Sequence, residues 1–340
     1  MSSGTIGAAK RSLSMNKFLT ATFIFVSIVA SHPAMSQEPL TSEQINEAQF
    51  SGQLPEGLSA VTTKLQILLD RAGANPGVID GVAGENVTKA IQGYEEMQGL
   101  PPTGVMTAAL WSQLQSHDPL TKVYTIKAAD VENLVESIPD DYLEKSNMKW
   151  LGYTSGAEAI AEKFHMDKDF LAVLNPSAAF TAGESVLVVD PGAPPTQAIT
   201  RIVADKANKR LVVYSDSDKP YIIYPATIGS DATPSPQGTH EVRAIAEFPT
   251  YAYNPDINFQ QGENNQKLNI PPGPNGPVGS TWIDLTEPTY GIHGTPEPSQ
   301  ISKTASHGCV RLTNWDAAEL ARLVKPGIKV TFVERLTSLY

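Results

Sequence analysis

Residues 290–313 read YGIHGTPEPSQISKTASHGCVRLT and hold the only cysteine of the 340-residue chain. Cys309 lies in the cluster Ser306-His307-Gly308-Cys309-Val310-Arg311, and His293 stands near the start of the stretch. A thiol attacks as its thiolate, and nearby imidazolium or guanidinium charge lowers its pKa, so a cysteine close to histidine and arginine is equipped as a nucleophile. Gly308 lets the main chain turn sharply, and the N–H groups of Gly308 and Cys309 are candidate donors to a developing oxyanion. A lone histidine or cysteine is more often an ordinary buried residue; the whole constellation in one loop favours catalysis. Zinc held by His293, His307 and Cys309 is the sharper rival, but no CxxC or HExxH spacing is present and no fourth ligand can be named.

H-G-T followed after a short loop by S-H-G-C-V-R resembles the signature of the L,D-transpeptidases of the YkuD (ErfK/YbiS) type. Upstream, Pro236-Gln237-Gly238-Thr239 resembles that family's P-x-G-T turn. Pro272-Gly273-Pro274-Asn275-Gly276-Pro277-Val278-Gly279 is similar to its loop leading into Trp282 and GIHG. His240 departs from the aromatic or aliphatic residue usual after the threonine, which bears on strand packing and not on chemistry. The resemblance implies His293 as general base and gives Gly294, through its carbonyl, the orienting role of a third catalytic member. His307, two residues before the nucleophile, lies on the same side if the chain is extended and suits the oxyanion region. Arg311 is suited to hold the loop or to meet a substrate carboxylate. Gly308, Ser306, Tyr290 and Trp282 are candidate substrate-lining residues.

Around this stretch the C-terminal part, residues 198–334, reads as a mostly-β catalytic domain. Ile199 to Val203, Arg210 to Tyr214 and Tyr221 to Ile228 are rich in β-branched and aromatic residues and predict an antiparallel meander that continues through His240 to Ala246. Residues 247–280 carry Gly, Pro and Asn without periodicity, and their place before GIHG favours a substrate lid. Thr313-Asn314-Trp315-Asp316 starts one helix after the nucleophile, running to Val324, and Ile328 to Val333 closes the sheet.

Working toward the N-terminus, Pro191-Gly192-Ala193-Pro194-Pro195 reads as a semi-rigid linker. Residues 122–190 give the order β-α-α-β and resemble a LysM module, a small α+β domain, with an insertion from Val131 to Gly152. Residues 50–116 show helical periodicity in three segments, broken by Gly73, the Asp80-Gly81 turn and Gly99. They resemble the PG-binding-1 module, a small all-α three-helix domain of cell-wall enzymes. The first thirty-six residues combine a basic start (Lys10, Arg11, Lys17), an apolar run from Phe18 to Ala30 and an Ala34-Met35-Ser36 site, and so predict a cleaved signal peptide and export to the periplasm. His32, His117 and His165 read as signal-peptide or surface residues.

At 340 residues the chain is long enough for two or three domains. Its formal charge of −11 and lack of a Lys/Arg cluster exclude nucleic acid as a partner. The resemblance implies acyl transfer without metal or organic cofactor: Cys309 attacks the carbonyl joining meso-diaminopimelate to the terminal D-alanine of a peptidoglycan tetrapeptide stem, D-alanine leaves, and an amine takes the thioester. A second diaminopimelate and a lysine of an outer-membrane lipoprotein are the alternative acceptors. Two rivals stay open at this level: a cysteine L,D-carboxypeptidase that resolves the same acyl-enzyme with water, and a non-catalytic protein that binds peptidoglycan stem peptides and glycan.

Overall fold

The computed structural model of the chain describes Met1 and residues 40–230, 233–257 and 259–336; apart from Met1, the expected signal peptide lies outside the described residues. The N-terminal region begins with α1 (Ser42–Glu47), α2 (Ala60–Arg71), α3 (Glu85–Gln98) and α4 (Ala108–Leu114). Helix α2 starts where the Ser59 hydroxyl accepts from the Thr62 N–H, and α4 where Thr107 accepts from Leu110. Helices α2 and α3 end just before Gly73 and Gly99, as their periodicity predicts. The Asp80-Gly81 turn is latched by Gln66, whose Oε1 accepts from the Gly81 N–H at 2.7 Å while its Nε2 donates to Asp80 Oδ1 at 2.8 Å.

The next stretch has the expected β-α-α-β order, with a further short helix inside the insertion: β1 (Thr121–Thr125), α5 (Tyr142–Ser146), α6 (Gly156–Lys163), α7 (Lys168–Leu174) and β2 (Ser185–Val189). Strands β1 and β2 pair antiparallel. One continuous apolar core runs through both modules, joining Leu65, Leu69 and Ile91 of the helices to Ile160, Leu171 and Val188.

The remaining strands are β3 (Arg201–Asp205), β4 (Arg210–Tyr214), β5 (Pro220–Pro225), β6 (Thr227–Ile228), β7 (Gly238–Glu247), β8 (Tyr251–Tyr253), β9 (Leu268–Ile270), β10 (Thr281–Leu285), β11 (Gly291–His293), β12 (Val310–Arg311) and, after α8 (Asn314–Leu323), β13 (Lys329–Val333). Nine of them form one sheet in the order β5-β4-β3-β13-β7-β10-β11-β12-β6. The predicted meander holds for β3, β4 and β5 and fails at β7, because β13 inserts parallel to β3 and separates it from β7. Strands β5 and β6 lie at opposite ends of this order with only Ala226 between them in sequence, so the sheet curls back on itself. The Thr313 side chain caps α8 by accepting from Asp316, and Ala317 and Leu320 pack into the core with Ile283, Ile292 and Val310.

Two expectations change. Residues 247–280, expected to be a substrate lid without periodic structure, are not aperiodic. They form the hairpin β8–β9, and Tyr253, Leu268 and Ile270 bury a small core against Leu151 of the insertion. The insertion therefore packs on the catalytic half, with Leu151 donating to the Pro272 carbonyl and accepting from the Asn275 N–H, each at 2.9 Å.

The proline-rich stretch does not hold the halves apart either. Asn75 donates to the Ile223 carbonyl at 2.9 Å and Ile223 to the Gly73 carbonyl at 2.7 Å, covering the edge that β5 would otherwise expose. Arg210 pairs with Glu96 at 2.8 Å and with Asp205 at 3.0 Å, all three little exposed. His165, expected at the surface, pairs with Asp70 at 3.0 Å and stacks on Trp315 of α8. A fragment beginning at Ala198 would leave Arg210 with Asp205 alone and the β5 edge uncovered, and an unpaired strand edge is a template for association with another chain. That fragment is expected to aggregate or to lack a cooperative melting transition in circular dichroism; cooperative melting at the full-chain temperature would show that the halves are independent.

Candidate active site

Parallel pairing of β11 with β12 builds the site. It sets Ile292 beside Val310 and His293 beside Arg311. Alternation sends Ile292 and Val310 into the core and leaves His293 and Arg311 on the other face. Cys309 immediately precedes β12, which brings it to the same cavity, a space of about 500 Å³. Trp282, Tyr290, His293, Ser306, His307, Cys309 and Arg311, seven of the residues singled out from sequence, line it. Gly294 and Gly308 shape the main chain behind it.

His293 Nδ1 lies 2.7 Å from the Gly294 carbonyl oxygen. A carbonyl only accepts, so Nδ1 carries the hydrogen and Nε2 is left with a lone pair to take a proton. Gly294 has no room for a side chain: a Cβ there would fall 2.2 Å from Asn314 Oδ1. Trp282 stacks on the imidazole with ring centroids 5.6 Å apart. Burial, assisted by the Arg311 charge, lowers the His293 pKa to about 3 against a small upward pull from the Gly294 carbonyl. The imidazole is neutral at rest.

Cys309 is half-buried and lines the cavity, and its thiol sits 3.8 Å from the Thr289 carbonyl. Burial raises its pKa to about 11, outweighing the Gly291 N–H and the Arg311 charge, which pull it down. This corrects the sequence reading, in which neighbouring charge holds a thiolate ready. Desolvation exceeds that attraction, and the resting pair is thiol and neutral imidazole.

The chain bends through 307–309 instead of extending, and Gly308 takes φ 105°. A Cβ on Gly308 would meet the Tyr290 ring at 2.7 Å, so both conformation and space select glycine. His307 reaches the cavity because of this bend, not through strand alternation. Its ring stacks on Phe259 at 3.7 Å, and burial followed by the Arg311 charge lowers its pKa. Ser306 is 3% exposed, and its hydroxyl donates to the Cys309 carbonyl at 2.6 Å and accepts from Gly229 at 2.7 Å. It braces the nucleophile loop, and little of it is left for substrate. The Gly308 and Cys309 N–H groups donate to no acceptor among the described residues, which leaves them for an oxyanion.

His240 lies away from the site, donating to the Gln237 carbonyl at 3.0 Å and packing its ring on Phe332. Among the described residues no group of three or more His, Cys, Asp or Glu side chains is placed to hold a metal ion. Sequence reasoning missed Tyr142, Tyr251 and Phe259 as cavity residues; only an aromatic-rich composition in 247–259 hints at two of them.

Behind His293, Asn314 accepts from the Ser280 N–H at 3.0 Å and donates to both oxygens of Glu162 in α6, at 3.0 and 3.2 Å. Burial raises the Glu162 pKa to about 8, against the bonds from Asn314 and Tyr153 that lower it. A raised folded-state pKa gives stability that is fully present below the unfolded value of ~4.3 and is lost as pH rises through about 8. Glu162→Gln removes this titration. Its melting temperature is expected to gain on the unsubstituted chain as pH rises from 5 to 9; a gap that stays constant would mean Glu162 does not titrate there.

Residues 199–332 match the YkuD L,D-transpeptidase catalytic domain, and residues 60–114 match the domain described as "Putative peptidoglycan binding domain". "Putative L,D-transpeptidase YkuD" of Bacillus subtilis is 31% identical over 175 residues, 51% of this chain and 90% of that protein. "Probable L,D-transpeptidase YbiS" of Escherichia coli K12 is 30% identical over 136 residues, 39% of this chain and 44% of that protein. Among solved structures, the L,D-transpeptidase (Yku) from Stackebrandtia nassauensis aligns over 85% of this chain and 98% of its own at 14% identity and a TM-score of 0.33. With a cysteine and a Nδ1-protonated histidine facing one cavity, and nine-tenths of the Bacillus protein covered at 31% identity, the chain belongs to the YkuD family of L,D-transpeptidases.

Proposed function

We propose that this L,D-transpeptidase acts on peptidoglycan tetrapeptide stems through a thioester on Cys309. The observation that carries the assignment of roles is the His293 Nδ1–Gly294 bond, which leaves Nε2 as the free base. In the first half-reaction Sγ bonds to the carbonyl carbon between diaminopimelate and D-alanine while its proton passes to Nε2. The C–N bond then breaks, Nε2 returns that proton to the departing D-alanine nitrogen, and the thioester remains. In the second, an acceptor amine adds to the thioester, giving its proton by way of Nε2 to the leaving sulfur. Gly308 and Cys309 N–H groups receive the oxyanion in both halves.

The acceptor is a neighbouring diaminopimelate amine in this reading, with a lipoprotein lysine as the alternative. Export to the periplasm is supported by the basic and apolar start of the sequence and its Ala34-Met35-Ser36 site. A LysM-like role in holding glycan is supported by the antiparallel β1–β2 pair flanking α6 and α7. Muropeptide analysis after incubating the purified mature protein with tetrapeptide-rich sacculi tests the reaction: cross-linked dimers with released D-alanine are expected. Tripeptides alone would indicate the carboxypeptidase, and unchanged sacculi would refute the reading.

A further inference from the structure

The insertion that interrupts the β-α-α-β module sends a side chain into the catalytic cavity. Tyr142, the first residue of α5, lines the same space as Cys309 and Arg311, although it lies far upstream of every motif residue. Its placement is fixed from several sides. The Tyr142 N–H donates to Gln261 Oε1 at 3.1 Å, Gln261 Nε2 donates to the Asp140 carbonyl at 3.2 Å, and Asn264 Nδ2 donates to Asp141 Oδ2 at 2.8 Å. Its ring meets Tyr253 edge-on at 5.2 Å and Phe259 at 6.0 Å, and Phe259 in turn stacks on His307.

What this wall offers is polar. The Tyr142 hydroxyl and the half-buried Arg311 guanidinium have no hydrogen-bond or ion-pair partner among the described residues. Each lies within the other's electrostatic reach, and the one carboxylate that also acts on Arg311, Glu297, is exposed and screened by solvent. A phenolic O–H and a planar guanidinium converging on a partly desolvated cavity match a carboxylate, which accepts from both at once. Burial keeps the phenol protonated, with its pKa pushed up to about 12, so it is a donor at any physiological pH.

We propose that Tyr142 is a specificity-determining residue of the transpeptidase site: with Arg311 it holds a carboxylate of the stem peptide, so that the N-terminal half completes the substrate pocket. This rests on the proposed stem-peptide reading and adds the element that recognises it. A stem peptide carries more than one carboxylate, and the two within reach of the scissile bond are the terminal D-alanine carboxylate and the free carboxylate of diaminopimelate.

The test separates binding from turnover. In a Cys309→Ala background, calorimetry measures the affinity of L-Ala-γ-D-Glu-meso-diaminopimelyl-D-Ala and of two derivatives, one amidated at the D-alanine carboxyl and one at the diaminopimelate carboxyl. One amide is expected to bind about tenfold more weakly than the acid, as befits a lost charge-assisted bond, and which one identifies the carboxylate. Adding Tyr142→Phe, which keeps the ring packing, is expected to weaken the acid about tenfold and that amide little. An unchanged melting temperature shows that the fold survives. Equal binding of all three peptides, no measurable binding, or an unchanged preference in Tyr142→Phe would overturn the proposal. Acyl-adduct formation on the unsubstituted chain reports separately on the transpeptidase reading itself.

Discussion

Cys309→Ser is expected to give no acyl adduct in intact-protein mass spectrometry, either with a tetrapeptide-stem donor or with a carbapenem-type β-lactam, where the unsubstituted chain gives one adduct and, with the donor, free D-alanine. The reason is the base strength available. His293 is a weak base in its buried setting, with a pKa near 3. A thiol, even raised to about 11, is far more acidic than a serine hydroxyl, and it is intrinsically more nucleophilic at the same protonation state. Serine would also place a smaller oxygen where sulfur now sits against the Thr289 carbonyl and the Gly291 N–H. An adduct that persists in Cys309→Ser would move the nucleophile elsewhere. Because the chain has a single cysteine, a mass shift that survives the substitution cannot be a thioester.

How much of this could be read beforehand divides along the range of the interactions. Helices α2, α3 and α8 were legible because caps and periodicity are local, and so was the cysteine with its two histidines, which share one short stretch. The Gly294 role was legible only through the family resemblance, which puts the third catalytic member directly after the histidine, where a glycine has just its main chain to offer. The sheet order was not: β13 inserts between β3 and β7 through pairings 128 residues apart on one side and 88 to 94 on the other. The ionisation of Cys309 was hidden for a related reason. A charge two residues away is visible in sequence, but the desolvation that outweighs it comes from the strands and loops that wall the thiol. Tyr142 and His165 show the same limit. His165 looks like a surface residue of an N-terminal module and Tyr142 lies in an insertion without a motif, and each is placed by a partner contributed from the catalytic half, Gln261 for Tyr142 and Trp315 for His165. Residues 247–280 read as an aperiodic lid because the apolar groups that order them, Leu151 among them, lie in the insertion.

His293→Ala is expected to lower the acylation rate by about a hundredfold or more, the usual worth of a positioned general base, and the pH profile should show why. If the resting site held a thiolate–imidazolium pair, the rate would climb with a thiol pKa below ~8.5. The structure predicts otherwise. His293 gains a proton only as pH falls toward 3, and Cys309 loses one only as pH rises toward 11. Between these limits both groups stay neutral and the proton moves from Sγ to Nε2 during attack, so kcat/KM for acylation is expected to be flat from about pH 5 to 9. In His293→Ala that proton has no acceptor in the site. The residual rate should then rise with pH as solvent hydroxide generates the thiolate, by up to about tenfold per unit below the thiol pKa. Stability carries a matching sign: with its folded-state pKa depressed, neutral His293 contributes stability present above ~6.5 and lost as pH falls toward 3. His307→Ala should cost far less activity, since the ring stacked on Phe259 borders the cavity without the Gly294-held tautomer that makes His293 a base. Rates of a β-lactam acylation measured across pH for the three chains decide the assignment. A sigmoidal rise near neutrality in the unsubstituted chain would restore the thiolate–imidazolium pair, and a His307 variant slower than the His293 variant would exchange the roles of the two histidines.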